Sequence, residues 1–200
     1  MNSWDERFAG EDFLFGEAPN AFLARQGHLL KAGQRALAVA DGEARNGVWL
    51  AEQGLSVHST DFSAVAQQKA RRLAARRGVE LELELADLFT WQFPEAAYDV
   101  VVAIFIQILP PDARERVFAA MKAALKPGGL LILEGYRPEQ IAYRTGGPSD
   151  PAWHYTEDLL RGAFGDFEII ELSSYDAALD EGKRHKGMSA LIDLVARKPA

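Results

Sequence analysis

The residues best placed to do chemistry in this chain lie between Arg35 and Asp61, RALAVADGEARNGVWLAEQGLSVHSTD. A strand over residues 37–40 runs into a turn at Asp41 and Gly42. A helix over 46–52 follows, and a second strand over 55–60 ends on a carboxylate, Asp61. Gly42 has no Cβ, so a ligand can approach its backbone closely. Asp61 follows at the roughly 20-residue spacing of nucleotide-binding βαβ units, where a carboxylate can accept hydrogen bonds from both hydroxyls of a ribose. Its other role would be an anion at the N-terminus of the helix that Ser63 caps. A second carboxylate, Asp87, ends the third strand.

Further candidates are scattered along the chain. Gln107 interrupts an apolar run, and a buried amide needs a partner; it faces a substrate or caps the next helix. Tyr136, Tyr143, Arg144, His154 and His185 lie in or just before late loops. His185 sits in GKRHKG, a cationic patch in an acidic chain. There it would attract an anionic or thiolate substrate, take a proton from it, or do neither. His28 and His58 read as structural. The four histidines are scattered and there is no cysteine, so no metal set, disulfide or thiol nucleophile is expected.

The bulk properties narrow the class. The chain has 200 residues, 48% of them hydrophobic, which suits one domain with a sizeable core. No apolar run approaches the roughly 20 residues of a membrane span. The polar start MNSWDERFAGEDF is unlike a signal peptide, so a cytoplasmic protein away from membranes is expected. The net charge of −7 disfavours nucleic acid as a partner. The basic segment KARRLAARR reads as the solvated face and last turn of a helix.

The elements that must position these residues alternate. A helix capped by Ser63 closes at Gly78, and a half-exposed strand covers 79–85. A nearly continuous apolar strand covers 98–109. Pro110 and Pro111 start a helix to 125, and the turn KPGG leads into a buried strand over 130–134. Residues 137–155 read as a loop or lid. Thr156 caps a last helix, and strands over 168–174 and 190–196 flank a polar loop. Strand–helix alternation implies a doubly wound, mostly parallel sheet with right-handed crossovers and an antiparallel edge.

Taken together, WDERFAGEDFLFGEAPNAFL, ADGEARNGVWLAEQG, STDFS, ADLFTW, LKPGGLLILEGYRPEQ and EGKRHKG resemble class I S-adenosylmethionine-dependent methyltransferases. Within them, the likeness is to the tellurite-resistance and thiopurine-methyltransferase-like group. The resemblance covers nearly the whole chain. It implies an α/β Rossmann-like sheet of seven strands with the last reversed, and S-adenosylmethionine as cofactor. It also implies three parts: a lid segment over 1–34, a cofactor half over 35–136 and a substrate half over 137–200.

The resemblance also assigns sites. The first loop carries Ala40, Asp41 and Gly42. Ala38 replaces the family's acidic residue, and Ala40 and Ala44 replace glycines, with Asp41 or Glu43 available to restore the charge. Asp61 and Phe62 would take the ribose and adenine, and Asp87 and Leu88 the adenine edge. Ala103, Ile104 and Phe105 would form the mouth of the cleft. Trp4, Phe8, Phe13, Phe15 and Phe22 suit an aromatic lid over a sulfonium, with the bare packing of an amphipathic helix as the other reading. Arg7 and Arg25 would clamp the cofactor carboxylate, and Arg45 and Asn46 match family positions. Methyl transfer to a small nucleophile is expected: a thiol, a chalcogen oxyanion or another metabolite. Gln107, Tyr143 and His185 stand on the catalytic side. A non-catalytic cofactor-binding protein and a Rossmann-type oxidoreductase are the alternatives.

Overall fold

The computed structural model describes residues 3–200. Two short helices, α1 (Ser3–Phe8) and α2 (Ala21–Arg25), precede β1 (Arg35–Ala38). Then come α3 (Arg45–Glu52), β2 (Ser56–Asp61), α4 (Ala64–Arg77), β3 (Glu82–Leu85) and β4 (Tyr98–Ile104). The second half contains α5 (Pro111–Ala124), β5 (Leu125–Tyr136), α6 (Gln140–Tyr143), α7 (Glu157–Phe164), β6 (Glu168–Glu181) and β7 (His185–Arg197). The seven strands are ordered β3-β2-β1-β4-β5-β7-β6. Strands β1 to β5 pair in parallel, and β7 runs antiparallel between β5 and β6. This is the expected doubly wound sheet with its last strand reversed. No helix among the described residues is long and apolar enough to cross a membrane.

The order reverses between β1 and β4, and in such sheets ligands bind outside the strand ends at that switch. The apolar run of β4 is explained by burial on both faces. Val101 and Ala103 pack with Leu37, Phe118 and Leu160. Val100 and Val102 pack on the other face with Ala36, Leu50 and Phe22. Helix ends follow their capping residues. Ser63 Oγ accepts from the Ala66 amide at 3.1 Å, Thr156 Oγ1 accepts from Leu159, and Gly78 closes α4 at φ 69°.

Three expectations are corrected. The strand read over 98–109 stops at Ile104, because Phe105 turns the chain at φ 55°. Ile106 and Leu109 stay in the core without a ladder, and a buried loop has the same apolar texture as a strand. The polar stretch read as a late loop is the outer half of a long hairpin, joined by residues 182–184. Its residues alternate between half-buried and exposed, so the strand pattern carries few apolar side chains. Finally, Lys69 in the basic segment is not solvated but 1% exposed.

Candidate functional site

The first loop leaves β1 through three residues in the left-handed region: Ala40 at φ 48°, Gly42 at 60° and Ala44 at 62°. Alanine thus takes a left-handed backbone at two positions. The Gly42 amide donates to Asp61 Oδ2 at 2.8 Å, and the Ser63 amide donates to Oδ1 at 2.8 Å. Asp61 therefore ties the tip of the first loop to the end of β2. Asp41 Oδ2 accepts from the Gly47 amide at 3.0 Å and Ser59 Oγ at 2.9 Å. Any Cβ on Gly47 would collide with that oxygen.

Burial pushes the Asp41 carboxyl up to about 7, with the charge of Asp61 adding to the rise and Ser59, Gly47 and Arg45 opposing it. Burial also raises Asp61, against the amides of Ser63 and Gly42. Glu43 does not face the cavity. It pairs with Lys69 and accepts from the Leu14 amide.

These groups open into one cavity of about 990 Å³. One end is walled by Asp41, Gly42, Asp61, Phe62, Asp87 and Leu88. Phe62 is exposed at the rim. Asp87 Oδ1 accepts from the Phe89 amide at 2.9 Å, which holds the carboxylate in place. Ile104 and Phe105 line the middle. The roof is the N-terminal segment, through Trp4, Arg7, Phe8, Leu14 and Phe15. Arg7 lies 4.6 Å over the Trp4 ring, and Trp4 stacks on Phe8.

The other end is an aromatic cage. The His185 ring lies 4.5 Å from Phe15, 4.4 Å from Phe105 and 6.0 Å from Tyr136. His185 Nδ1 and the Tyr136 hydroxyl are buried without hydrogen-bond partners. Nδ1 sits 4.0 Å from Glu181, so Nε2 is the ring nitrogen left for the cavity. Burial, helped by Arg45 and opposed by Glu181, pushes His185 down to about 4. It is a free base at neutral pH. Burial raises the Tyr136 phenol, so it stays a donor. The Arg45 cation is spent on Glu181 at 2.6 Å.

Four candidates are engaged otherwise than expected. Gln107 borders the cavity, but its amide is held by neighbouring backbone. Nε2 donates to the carbonyls of Tyr136 and Trp153, and Oε1 accepts from the Tyr136 amide at 2.6 Å. It is a clamp on β5 rather than a group free to react. Tyr143 lies outside the cavity and donates to Asp176 at 2.9 Å. Ala103 faces the core, because alternation on β4 sends it away from its neighbours Val102 and Ile104. Arg25 pairs with Asp193 at 3.3 Å, not with the cavity.

Arg144 is exposed, and His154 is buried beneath the Asp150 carbonyl. His58 is structural as expected, held by Tyr98 and Glu84. Trp153 and Arg184 also line the cavity; they lie in the 137–155 loop and the GKRHKG patch without having been singled out. The Gly-Gly-Pro texture before Trp153 was its one signal.

Residues 36–129 match the family model described as a methyltransferase domain. The chain is 30% identical over 131 residues to a phosphatidylethanolamine N-methyltransferase of Cereibacter sphaeroides, covering 64% of each. It is 31% identical over 145 residues to ribosomal RNA small subunit methyltransferase C of Chromohalobacter salexigens, covering 70% of this chain and 38% of that one. It is 30% identical over 129 residues to tRNA N(3)-methylcytidine methyltransferase Mettl2 of Drosophila melanogaster, covering 56% and 40%. The chain therefore spans 64%, 38% and 40% of these relatives' lengths. Among solved structures, TehB from Haemophilus influenzae superposes with a TM-score of 0.74 at 16% identity, covering 90% of this chain and 62% of TehB. A protein described in the conversion of a disulfide bond into a thioacetal group during echinomycin biosynthesis gives 0.77 at 18%, covering 98% and 88%. At these identities the likeness is one of fold.

Proposed function

We propose, from the methyltransferase domain that residues 36–129 match, that this chain transfers the methyl group of S-adenosylmethionine to a small nucleophile. The TehB likeness supports grouping it with the tellurite-resistance and thiopurine-methyltransferase-like enzymes. The observation that carries the reading is the continuous cavity that joins the Gly42–Asp61 loop to the His185 cage.

The residues present fit the cofactor. Asp61 spends one lone pair of each oxygen on a backbone amide, which leaves acceptor capacity for ribose hydroxyls. Phe62, Asp87 and Leu88 offer an apolar face and a carboxylate to an adenine. Asp41, the one first-loop carboxylate that lines the cavity, suits the cofactor's ammonium. The rings of Phe8 and Phe15 suit a sulfonium cation. When bound, the cofactor supplies a methyl group already activated on sulfur, so no covalent enzyme intermediate is required.

The chain's part is alignment, exclusion of water and proton handling. The acceptor X–H lies against Phe105 and His185. The cofactor would supply the methyl group, its sulfur keeping the electron pair of the broken sulfur–methyl bond, and the acceptor's proton would pass to His185, held as a free base. The Tyr136 hydroxyl donates a hydrogen bond to the acceptor. The rings of Phe15 and Phe105 around His185 favour a soft, polarisable acceptor such as a thiol. The net charge of −7 favours a small acceptor over nucleic acid. Transfer of radiolabelled methyl to benzyl mercaptan, selenite, total RNA and phosphatidylethanolamine vesicles tests this. Label on the thiol is expected. Label on RNA or lipid alone would overturn the acceptor class, and cofactor binding with no transfer to any acceptor would favour a non-catalytic protein.

A further inference from the structure

Lys69 lies on α4 with 1% of its surface exposed. A buried ammonium must spend its three protons on partners. Lys69 Nζ donates to the carbonyls of Phe8 at 3.3 Å, Gly10 at 2.9 Å and Asp12 at 2.6 Å, and it pairs with Glu43. The Phe13 ring lies 5.3 Å away. Glu43 takes the Leu14 amide on its other oxygen at 2.7 Å. One buried ion pair thus gathers the backbone of residues 8, 10, 12 and 14.

The location of that stretch matters. Arg7, Phe8, Leu14 and Phe15 line the cavity, whereas residues 9–13 do not. The part gathered by Lys69 is the outside of a bend whose two ends form the roof. Glu43 sits next to Gly42 in the first loop, so the same pair joins roof and loop. Lys183 fastens the far side, through its amide to the Leu14 carbonyl at 2.9 Å and its ammonium to Asp12 at 2.6 Å. That second ammonium pair is exposed and worth little. A buried ion pair adds little net stability compared with an apolar pair of like volume. Its effect here is on where the roof lies.

We infer that Lys69 is a positioning residue that, with Glu43, holds residues 8–14 closed over the cavity and so governs ligand escape. The ligand-escape half rests on the cofactor reading of the cavity; the roof-holding half does not. The test uses Lys69→Met and the double variant Lys69→Met/Glu43→Gln. In the double variant no buried carboxylate is stranded, and the side-chain amide introduced at position 43 still accepts from the Leu14 amide. The double variant therefore carries the test if the single variant fails to fold.

In the ligand-free double variant, amides of residues 9–16 should exchange hydrogen at least about tenfold faster, with β1, β4 and β5 unchanged. The dissociation rate of S-adenosylhomocysteine should rise about tenfold while association stays within about threefold. KM for S-adenosylmethionine should rise with kcat within about threefold. Unchanged exchange over 9–16 would overturn the inference. So would faster exchange throughout the sheet, which would make Lys69 a core support only. Faster roof exchange in a protein whose wild type binds no S-adenosylhomocysteine would uphold the fastening and sink the cofactor reading instead.

Discussion

Replacing Asp41 by Asn removes a charge and keeps an acceptor for Gly47 and Ser59. The carboxyl is raised from 3.8 to about 7 in the fold. At 1.36 kcal/mol per pH unit, ionising it there costs the native state about 4 kcal/mol. Asp41 is half-buried and borders the cavity, so solvent screening reduces this to about 2 kcal/mol. The folded protein binds more protons than the unfolded one between the two values. Stability therefore falls as pH rises through about 4 to 7. Asp41→Asn should flatten that slope. It should match the wild type near pH 3 and exceed it by about 2 kcal/mol at pH 8 in urea unfolding. A variant less stable than wild type at pH 8, or one with an unaltered slope, would refute the reasoning. The same proton reports on the ligand. If Asp41 faces the cofactor's ammonium, S-adenosylhomocysteine should release a fraction of a proton between pH 4 and 7 from the wild type and none from Asp41→Asn. Titrations in buffers of different ionisation enthalpy would read this.

Asp61→Ala should weaken S-adenosylhomocysteine binding by about 1–3 kcal/mol through lost charged hydrogen bonds; unchanged affinity by calorimetry would remove Asp61 from the site. His185→Asn should lower kcat by about 10²-fold or more at pH 7 with cofactor KM within about threefold. Because the folded imidazole charges only near pH 4, wild-type kcat should stay flat from pH 6 to 8, and a fall in kcat centred near pH 6.5 would contradict its assignment as a buried free base. Ala40→Gly should stabilise by about 0.5–1 kcal/mol, since a left-handed alanine costs about 1–2 kcal/mol and glycine returns part of that as chain entropy. Ala44→Gly should be close to neutral, because it also strips a fully buried methyl packed with Val48 and Leu73, worth about 0.8 kcal/mol. Equal effects at the two sites in urea unfolding would refute that comparison.

Much of the sheet was legible because its signals are local. Gly42, Asp61 and Ser63 mark a loop, a strand end and a cap, and all three sit where their types require. What stayed hidden depends on contacts between distant segments. Lys69 and Arg72 are indistinguishable in a basic run, yet only Lys69 meets the carbonyls of residues 8–12. Gln107 is legible as an amide needing partners, but the expected ones were a substrate or the next helix, and the partners found are 29 and 46 residues away. Tyr143 and His185 looked alike as late-loop candidates. The hairpin register carries His185 into the cage, while the turn of α6 points Tyr143 at Asp176. The hairpin was obscured because strands with little buried apolar surface lack the alternation that marks a strand.

Calorimetric titration of the wild-type protein with S-adenosylmethionine and S-adenosylhomocysteine, with NAD as the control, tests the central claim most directly. The account predicts one site per chain with micromolar affinity for both sulfur ligands and no heat with NAD. Silence from both sulfur ligands, or binding of NAD in their place, would contradict it.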